Sequence, residues 1–522
     1  MSLQLTEEQK AIIEYNGNQI IEAGAGCGKS STLIQKALSL PKLKKVYFSF
    51  TAATVKDMKQ KAYEQGVKNI DITTFHGLAH TKFIKSGQYK LGYNPNVYGI
   101  SKEFNLKGDN LSNKIVYHAV KWFDLFCNSD VEKIEDLKYI DTIESEKARK
   151  FVELQINNIG KLAFDIWDRM DKKKLDCSHS FYLKKYQLTH PTLNYDLVLC
   201  DEAQDLNPVQ LDIVKGLNGT KVIVGDTNQQ IYSWRGAVNA LKTFPDYKVF
   251  TLTESFRFTQ DIADLGLKAL SFKEVYDSEF DFGKIKLIGR AKLTPQTKIK
   301  TKAILSRSNI SILEYLFNNL DRFNSIYIEG GLESLMNSQA GIKMTDLVHL
   351  SSGDYDKIEN FFVKKFSSLE KLQDYYEDLD DKSIEGMVKF VNRYKKGILF
   401  QLVKINEKLT EKNFADITFS TLHKSKGTEF DEIEILSNFE QDWFPHSMPN
   451  IKEVESPDGE KVKVDLEEHE IKKIKELMIE ELNLRYVGVT RAKYKILHNW
   501  TWLDENKEEV QEMEQIKQEI EN

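Results

Sequence analysis

Ala23-Gly24-Ala25-Gly26-Cys27-Gly28-Lys29-Ser30 follows the apolar run Gln19 to Glu22 and precedes a helix-like segment that begins at Ser31. Strand, glycine loop and helix form the context in which backbone N–H groups wrap phosphates. There Lys29 reaches the β- and γ-phosphates and the Ser30 hydroxyl ligates Mg²⁺, while Ala23 stands where the usual pattern has glycine. Tyr195-Asp196-Leu197-Val198-Leu199-Cys200-Asp201-Glu202 reads as a buried strand ending in two acids. A carboxylate at the carboxyl end of a parallel strand lies beside such a loop, which makes Asp201 the candidate magnesium residue. A second carboxylate next to it can orient and deprotonate water, so Glu202 is the candidate general base of hydrolysis. Val222 to Ala237 adds a third strand end, with polar residues where a γ-phosphate would sit.

The elements that position these residues follow from short apolar or alternating runs separated by helix-like stretches, the pattern of an α/β protein with mainly parallel strands. In the first half the runs are Gln19 to Ala23, Lys45 to Phe50, Ile70 to Thr74, Asp196 to Cys200, Lys221 to Val224 and Lys248 to Leu252. In the second they are Lys302 to Leu305, Ser325 to Ile328, Asp416 to Ser420, Glu432 to Leu436 and Tyr494 to Leu497. Two sheets are expected. Residues 85–190 and 335–411 carry helical periodicity and read as insertions interrupting each α/β unit. The expected organisation is therefore 1–84 with 191–260, and 261–334 with 412–503, followed by an acidic tail at 504–522. Residues 451–480, with six lysines against ten acidic residues, read as a solvated loop and surface helix around Ser456-Pro457-Asp458-Gly459.

The chain has 522 residues, 41% hydrophobic and 29% charged, enough for several domains with real cores. Its formal charge of −6 supplies no bulk attraction to nucleic acid or membrane, so a nucleic-acid site must be a local groove. No apolar run approaches the roughly 18 residues of a membrane helix, and the opening Met-Ser-Leu-Gln-Leu-Thr-Glu-Glu is too polar for a signal peptide. Cys27, Cys127, Cys177 and Cys200 lack Cys-x-x-Cys spacing, so neither a disulfide framework nor a zinc site is expected. Together these features predict a cytoplasmic protein, nucleoid-associated if bacterial or phage-derived, with no membrane partner.

Asp-Glu-Ala-Gln-Asp at 201–205 and Val222 to Ala237 resemble motifs II and III of superfamily-1A helicases of the UvrD/Rep/PcrA type. Gln9, Ser49-Phe50-Thr51-Ala52-Ala53, Thr73-Thr74-Phe75-His76-Gly77, Ala303 to Asn309, Thr421 to Phe430 and Tyr486 to Lys493 follow in the family's order, so the likeness runs from residue 5 to about 498. It is nearest to the motor region of the F-box DNA helicases, on His179 to Leu188, Arg235 to Leu241 and Glu254 to Phe258. No F-box is expected upstream of Leu5, and no F-box-mediated partner. The resemblance implies two RecA-like parallel-sheet P-loop domains, each interrupted by a mainly helical insertion, that bind ATP and Mg²⁺ between them. It implies that Gln9 bonds the adenine edge and Gln229 senses the γ-phosphate. Arg307 and Arg491 would be arginine fingers, and Glu429 and Glu481 would line the cleft. The family's adenine stack uses an aromatic before the first finger and an arginine after the P-loop. This chain has Ser306 and Ser31 there.

The DNA track implied by the same likeness comprises Phe50, Thr74, His76, Tyr232, Trp234, Phe256 and His423. Stacking on aromatic rings tolerates any base sequence, which suits a motor. Composition adds a local signal, since residues 81–121 hold seven lysines against Glu103 and Asp109, interleaved with Phe83, Tyr89, Tyr93, Tyr98, Phe104 and Tyr117. Basic residues with interleaved aromatics fit a backbone-tracking groove. The function expected is an ATP-dependent helicase or translocase moving 3′ to 5′ on single-stranded DNA. Single-strand/duplex junctions and recombinase filaments are the expected partners. The competing reading is a nucleotide-gated DNA-binding scaffold with little unwinding.

Overall fold

The structure is a computed structural model that describes residues 4–107, 109–233, 236–338, 341–436, 451–455, 461–465 and 468–498. All eleven strands expected from the apolar runs are present. Contacts divide the chain into two units. The first comprises Met1–Ala23, Cys27–Leu252 and Met336–Lys404, and the second Gly24–Gly26, Thr253–Leu335 and the chain from Ile405 onward.

In the first unit, β1 (Gln19–Ala23), β2 (Lys45–Phe48), β3 (Ile70–Thr73), β4 (Leu197–Cys200), β5 (Thr220–Gly225) and β6 (Lys248–Leu252) form one sheet in the order β3-β2-β4-β5-β1-β6. Every pairing is parallel. The near-continuous apolar character of β2 and β4, buried along their whole length, is that of strands covered on both faces. The neighbours β4, β5 and β1 end at Cys200, Gly225 and Ala23, so the residues that follow each of them emerge on one edge of the sheet.

Among the described residues, five α-helices lie between β3 and β4: Phe75–Phe83, Val97–Glu103, Asn110–Asn128, Glu146–Asp171 and His179–Gln187. Their core is aromatic. The Trp122 ring stacks on Tyr139 at 5.3 Å between centroids, and Trp167 packs on Phe181 at 4.6 Å. The segment 336–404 interrupts the second sheet in sequence, yet it groups with the first unit. An acidic turn explains the docking. Asp378 pairs with Lys114 at 2.6 Å and also with Lys147, and Asp381 accepts from the Tyr117 hydroxyl at 3.0 Å. Asp380 accepts from the backbone N–H groups of Glu144 and Ser145, ahead of the long helix Glu146–Asp171, where a helix dipole favours negative charge.

The second unit opens with β7 (Glu254–Ser255), paired in parallel with β8 (Ile288–Gly289). Its main sheet holds β9 (Lys302–Ser306), β10 (Ile326–Ile328), β11 (Ile417–Thr421), β12 (Phe430–Ile435) and β15 (Ala492–Leu497), in the order β10-β11-β9-β12-β15 and again all parallel. Residues 451–465, expected as a solvated loop, instead contain the antiparallel pair β13 (Ile451–Glu455) and β14 (Lys461–Asp465). The period-two alternation of Ile-Lys-Glu-Val-Glu and Lys-Val-Lys-Val-Asp is a strand pattern, and the register sets Glu453 opposite Lys463. The expected turn at Ser456 to Gly459 and the acidic tail lie outside the described residues. The helix Glu468–Val489 fills the remainder of the expected segment.

His118 is fully buried in the inserted helices, with its Nδ1 2.9 Å from the Tyr139 hydroxyl, and burial pushes its pKa down to about 4. The unfolded chain takes up that proton near pH 6.5, so between the two values the unfolded state binds more protons. Stability at this site is full above about pH 6.5 and falls toward pH 4, by about 2 kcal/mol at pH 5. Urea unfolding of wild type and His118→Gln at pH 7 and pH 5 checks this, with the smaller pH dependence expected in the variant.

Candidate nucleotide-binding active site

Gly26 and Gly28 sit at φ +72° and +78°, the left-handed region that lets the loop turn its N–H groups inward, and Gly28 is the N-cap of the helix Lys29–Ser39. Lys29 Nζ is 3.6 Å from Glu202 Oε1, and Ser30 Oγ donates to Asp201 Oδ2 at 2.7 Å. The sequence-predicted lysine, hydroxyl and two acids therefore meet. Gln9 also joins the loop, for its Nε2 donates to Thr32 Oγ1 at 3.1 Å, and Thr32 Oγ1 donates to the Gly28 carbonyl at 2.9 Å. Its backbone is fixed by a capping box with Thr6 at the start of the helix Glu7–Glu14.

Sequence reasoning missed three residues here. Tyr47 donates its hydroxyl to Asp201 Oδ2 at 2.5 Å. Gln204, fully buried, donates to Glu202 Oε2 at 2.7 Å and to Asp205 Oδ2 at 3.2 Å, while its Oε1 accepts from the Asp226 N–H at 3.0 Å. Asp226 directly follows β5 and accepts from Gln229 Nε2 at 2.6 Å. Gln204 stands two residues past Glu202 and Asp226 three before Gln229. Neither spacing reveals that Gln204 bridges two strand ends.

The electrostatics identify what the cluster lacks. Burial, then the neighbouring Glu202, pushes the Asp201 pKa up against the opposing pull of Lys29. Burial pushes Asp226 up as well, again opposed first by Lys29. Lys29 thus acts on all three carboxyl groups, and Glu202 is held in the left-handed region at φ +52°. A hydroxyl and a hard oxygen donor among clustered carboxyl groups fit Mg²⁺, with Ser30 and Asp201 as the residues that would hold it.

In the second unit Arg307 is engaged by Glu481, through Nε at 2.8 Å and Nη2 at 2.6 Å to the same Oε1. Arg491 is buried and donates to the carbonyls of Val487 and Thr428 and to Thr490 Oγ1. Glu429 pairs with Arg257 at 3.0 Å and with Lys493 at 2.7 Å. These two partners, with their hydrogen bonds, hold its carboxyl below the usual range although burial works against them. Arg257 was not singled out from the sequence, yet it is the arginine that packs on the glycine loop. A Cβ built on Gly26 would stand 2.6 Å from Arg257 Cβ, and the Phe256 N–H donates to the Gly26 carbonyl at 3.1 Å. The Ala25 N–H donates to the Tyr486 hydroxyl at 3.0 Å.

The predicted DNA residues are placed less uniformly. The Phe50 and Tyr232 rings lie parallel, 6.0 Å between centroids and 10° apart in plane. Thr74 caps the helix Phe75–Phe83 by accepting from the Gly77 N–H at 2.9 Å. His76 sits edge-on to Tyr182 and His179, and burial followed by the His179 charge lowers its pKa to about 4, so its imidazole is neutral at physiological pH. Phe256 is exposed, His423 is half-buried, and Trp234 lies outside the described residues.

A parallel sheet with a glycine loop after β1, lysine and serine opening the next helix, and acids after β4 defines an α/β protein of the P-loop nucleotide-binding class. Residues 5–244 match the UvrD/REP helicase N-terminal domain, and over its length the chain is similar to F-box DNA helicases and to UvrD/Rep/PcrA-type helicases. It is 31% identical over 469 residues to F-box DNA helicase 1 of Gallus gallus, covering 84% of this chain and 45% of that one. It is 24% identical over 549 residues to F-box DNA helicase protein 1 of Schizosaccharomyces pombe, covering 95% and 57%. The likeness to ATP-dependent DNA helicase PcrA of Bacillus subtilis is 22% over 647 residues, covering 94% and 81%. The chain thus spans about half the length of the two F-box relatives.

Gln204→Ala removes the link between Glu202 and the Asp226 N–H, leaving buried polar groups unpaired at a cost of about 1–3 kcal/mol. ATP binding by the Lys29 loop should be retained, whereas turnover should fall about tenfold or more as Glu202 loses its orientation. Equilibrium nucleotide binding and steady-state hydrolysis check the split.

Proposed function

We propose that the chain is an ATP-dependent DNA helicase or translocase that moves 3′ to 5′ on single-stranded DNA. The observation that carries the reading is the convergence of Lys29, Ser30, Asp201, Glu202 and Gln229 around the ends of the adjacent strands β4, β5 and β1. The two parallel-sheet units would be RecA-like motor halves, with 85–190 and 335–411 as their insertions.

In hydrolysis Lys29 holds the β- and γ-phosphate oxygens, and the loop N–H groups orient the chain of phosphates. Ser30 and Asp201 would hold Mg²⁺, which when bound would offset the negative charge that develops on the phosphates. Glu202, steadied by Gln204, orients the attacking water and takes its proton. Gln229, steadied by Asp226, is positioned to report the γ-phosphate. Arg257 packs its side-chain stem against the Gly26 turn while its guanidinium bonds Glu429 and the Thr490 carbonyl, and Arg307 and Arg491 would take the arginine-finger roles that the family likeness implies.

For DNA, the parallel Phe50 and Tyr232 rings offer π-faces, and stacking is worth roughly 1 to 3 kcal/mol per base. The neutral His76 favours a base or sugar contact over a phosphate. Junctions and protein-coated single strands are the proposed substrates, in repair or recombination.

Steady-state ATP turnover with and without saturating single-stranded DNA tests the reading, with Lys29→Ala as the control. Stimulation of about tenfold or more, absent in Lys29→Ala, is expected. Duplexes tailed at the 3′ or 5′ end then read polarity, and only the 3′-tailed substrate should be unwound. Equal turnover with and without DNA would overturn the motor and favour the scaffold.

A further inference from the structure

Glu22 is the charged residue of the largely buried strand Gln19-Ile20-Ile21-Glu22-Ala23, just before the glycine loop. Phosphate binding makes no use of a carboxylate there, and desolvating one costs stability. Burial raises its pKa, and Asp226 adds to the rise, while hydrogen bonds from Thr227 and the charge of Lys242 oppose it. Its contacts show what it holds.

Register pairs Glu22 with Gly225 at the end of β5, which sets its side chain beside the turn that follows. Thr227 Oγ1 lies 3.1 and 3.0 Å from the two carboxyl oxygens of Glu22 and donates to them. The same Oγ1 accepts from Asn239 Nδ2 at 3.0 Å, and Asn239 Oδ1 accepts from the Leu241 N–H at 3.1 Å. Thr227 opens the one-turn helix Thr227–Gln229, whose last residue is bonded to Asp226 in the nucleotide site. Asn239 lies at the far end of the stretch that begins at Gln230 and carries Tyr232, the ring parallel to Phe50. The Val238 N–H, bonded to the Leu206 carbonyl at 2.7 Å, anchors that end to the segment after β4. The Thr227 hydroxyl, donating to Glu22 and accepting from Asn239, therefore ties the nucleotide-facing turn to the residue beyond the predicted DNA-facing ring, and Glu22 sets its direction. A contiguous set of hydrogen bonds of this kind can carry coupling between two sites.

We propose that Glu22 is a positioning residue that, through Thr227 and Asn239, links the Gln229 turn to the 230–239 stretch, so that DNA contact and ATP hydrolysis respond to one another. This rests on the DNA-motor reading above. Because the link is a hydrogen bond rather than a charge, an amide can replace the carboxyl group, and serine can replace threonine.

The test compares the ratio of DNA-stimulated to basal ATP turnover in wild type, Glu22→Ala, Glu22→Gln, Thr227→Val and Thr227→Ser, alongside the ATP KM and the Kd for an oligothymidine. Glu22→Ala and Thr227→Val are expected to lower the ratio about tenfold, with KM and Kd changed less than about threefold, while Glu22→Gln and Thr227→Ser keep most of it. A ratio unchanged in Glu22→Ala and Thr227→Val would overturn the proposal, as would equal loss in all four variants, which marks a merely structural role. If Glu22→Ala does not fold, the Thr227 pair alone decides. A wild type with no stimulation would instead remove the motor reading itself, and this inference with it.

Discussion

The parallel order β4-β5-β1 is the constraint on which the site depends. Parallel strands carry their following residues out at one edge, so acids after β4 and β5 and the glycine loop after β1 are brought together whatever their separation in sequence. Asp201, Glu202 and Asp226 accept the cost of crowding because Lys29 stands among them and because a divalent cation bound there would offset more of their negative charge. Gln204 and Tyr47 exist in this setting to hold carboxylates that would otherwise repel one another, and neither has an evident role apart from it.

What could be read from the sequence follows from that geometry. The glycine loop, the Asp201-Glu202 pair and the strands were legible because each is local, a run of consecutive residues with its own chemistry. The bridging residues were not, because Gln204 and Tyr47 become functional only through partners on other strands. Arg257 was overshadowed by Arg307, which is similarly placed at a strand end but is occupied by Glu481, whereas Arg257 packs on Gly26. The pair β13 and β14 was hidden by its charge, since period-two alternation carried by lysine and glutamate resembles a solvated loop in composition.

The grouping of 336–404 with the first unit has a comparable origin. Helical periodicity shows that the segment folds, but not where it docks. The docking is set by Asp378, Asp380 and Asp381 meeting Lys114, Lys147, Tyr117 and two backbone N–H groups, a match between residues more than two hundred positions apart. Buried apolar faces fix that such helices pack, and a few polar pairs fix the partner.

The central claim is that hydrolysis occurs at the Lys29, Asp201 and Glu202 cluster, with Glu202 as the base. Single-turnover hydrolysis by Glu202→Gln tests it most directly, because the amide keeps the shape of the side chain and an acceptor for Gln204 while losing the ability to take a proton. This variant is expected to bind ATP and single-stranded DNA as wild type does and to hydrolyse at least about a hundredfold more slowly. An unchanged rate of hydrolysis would contradict it.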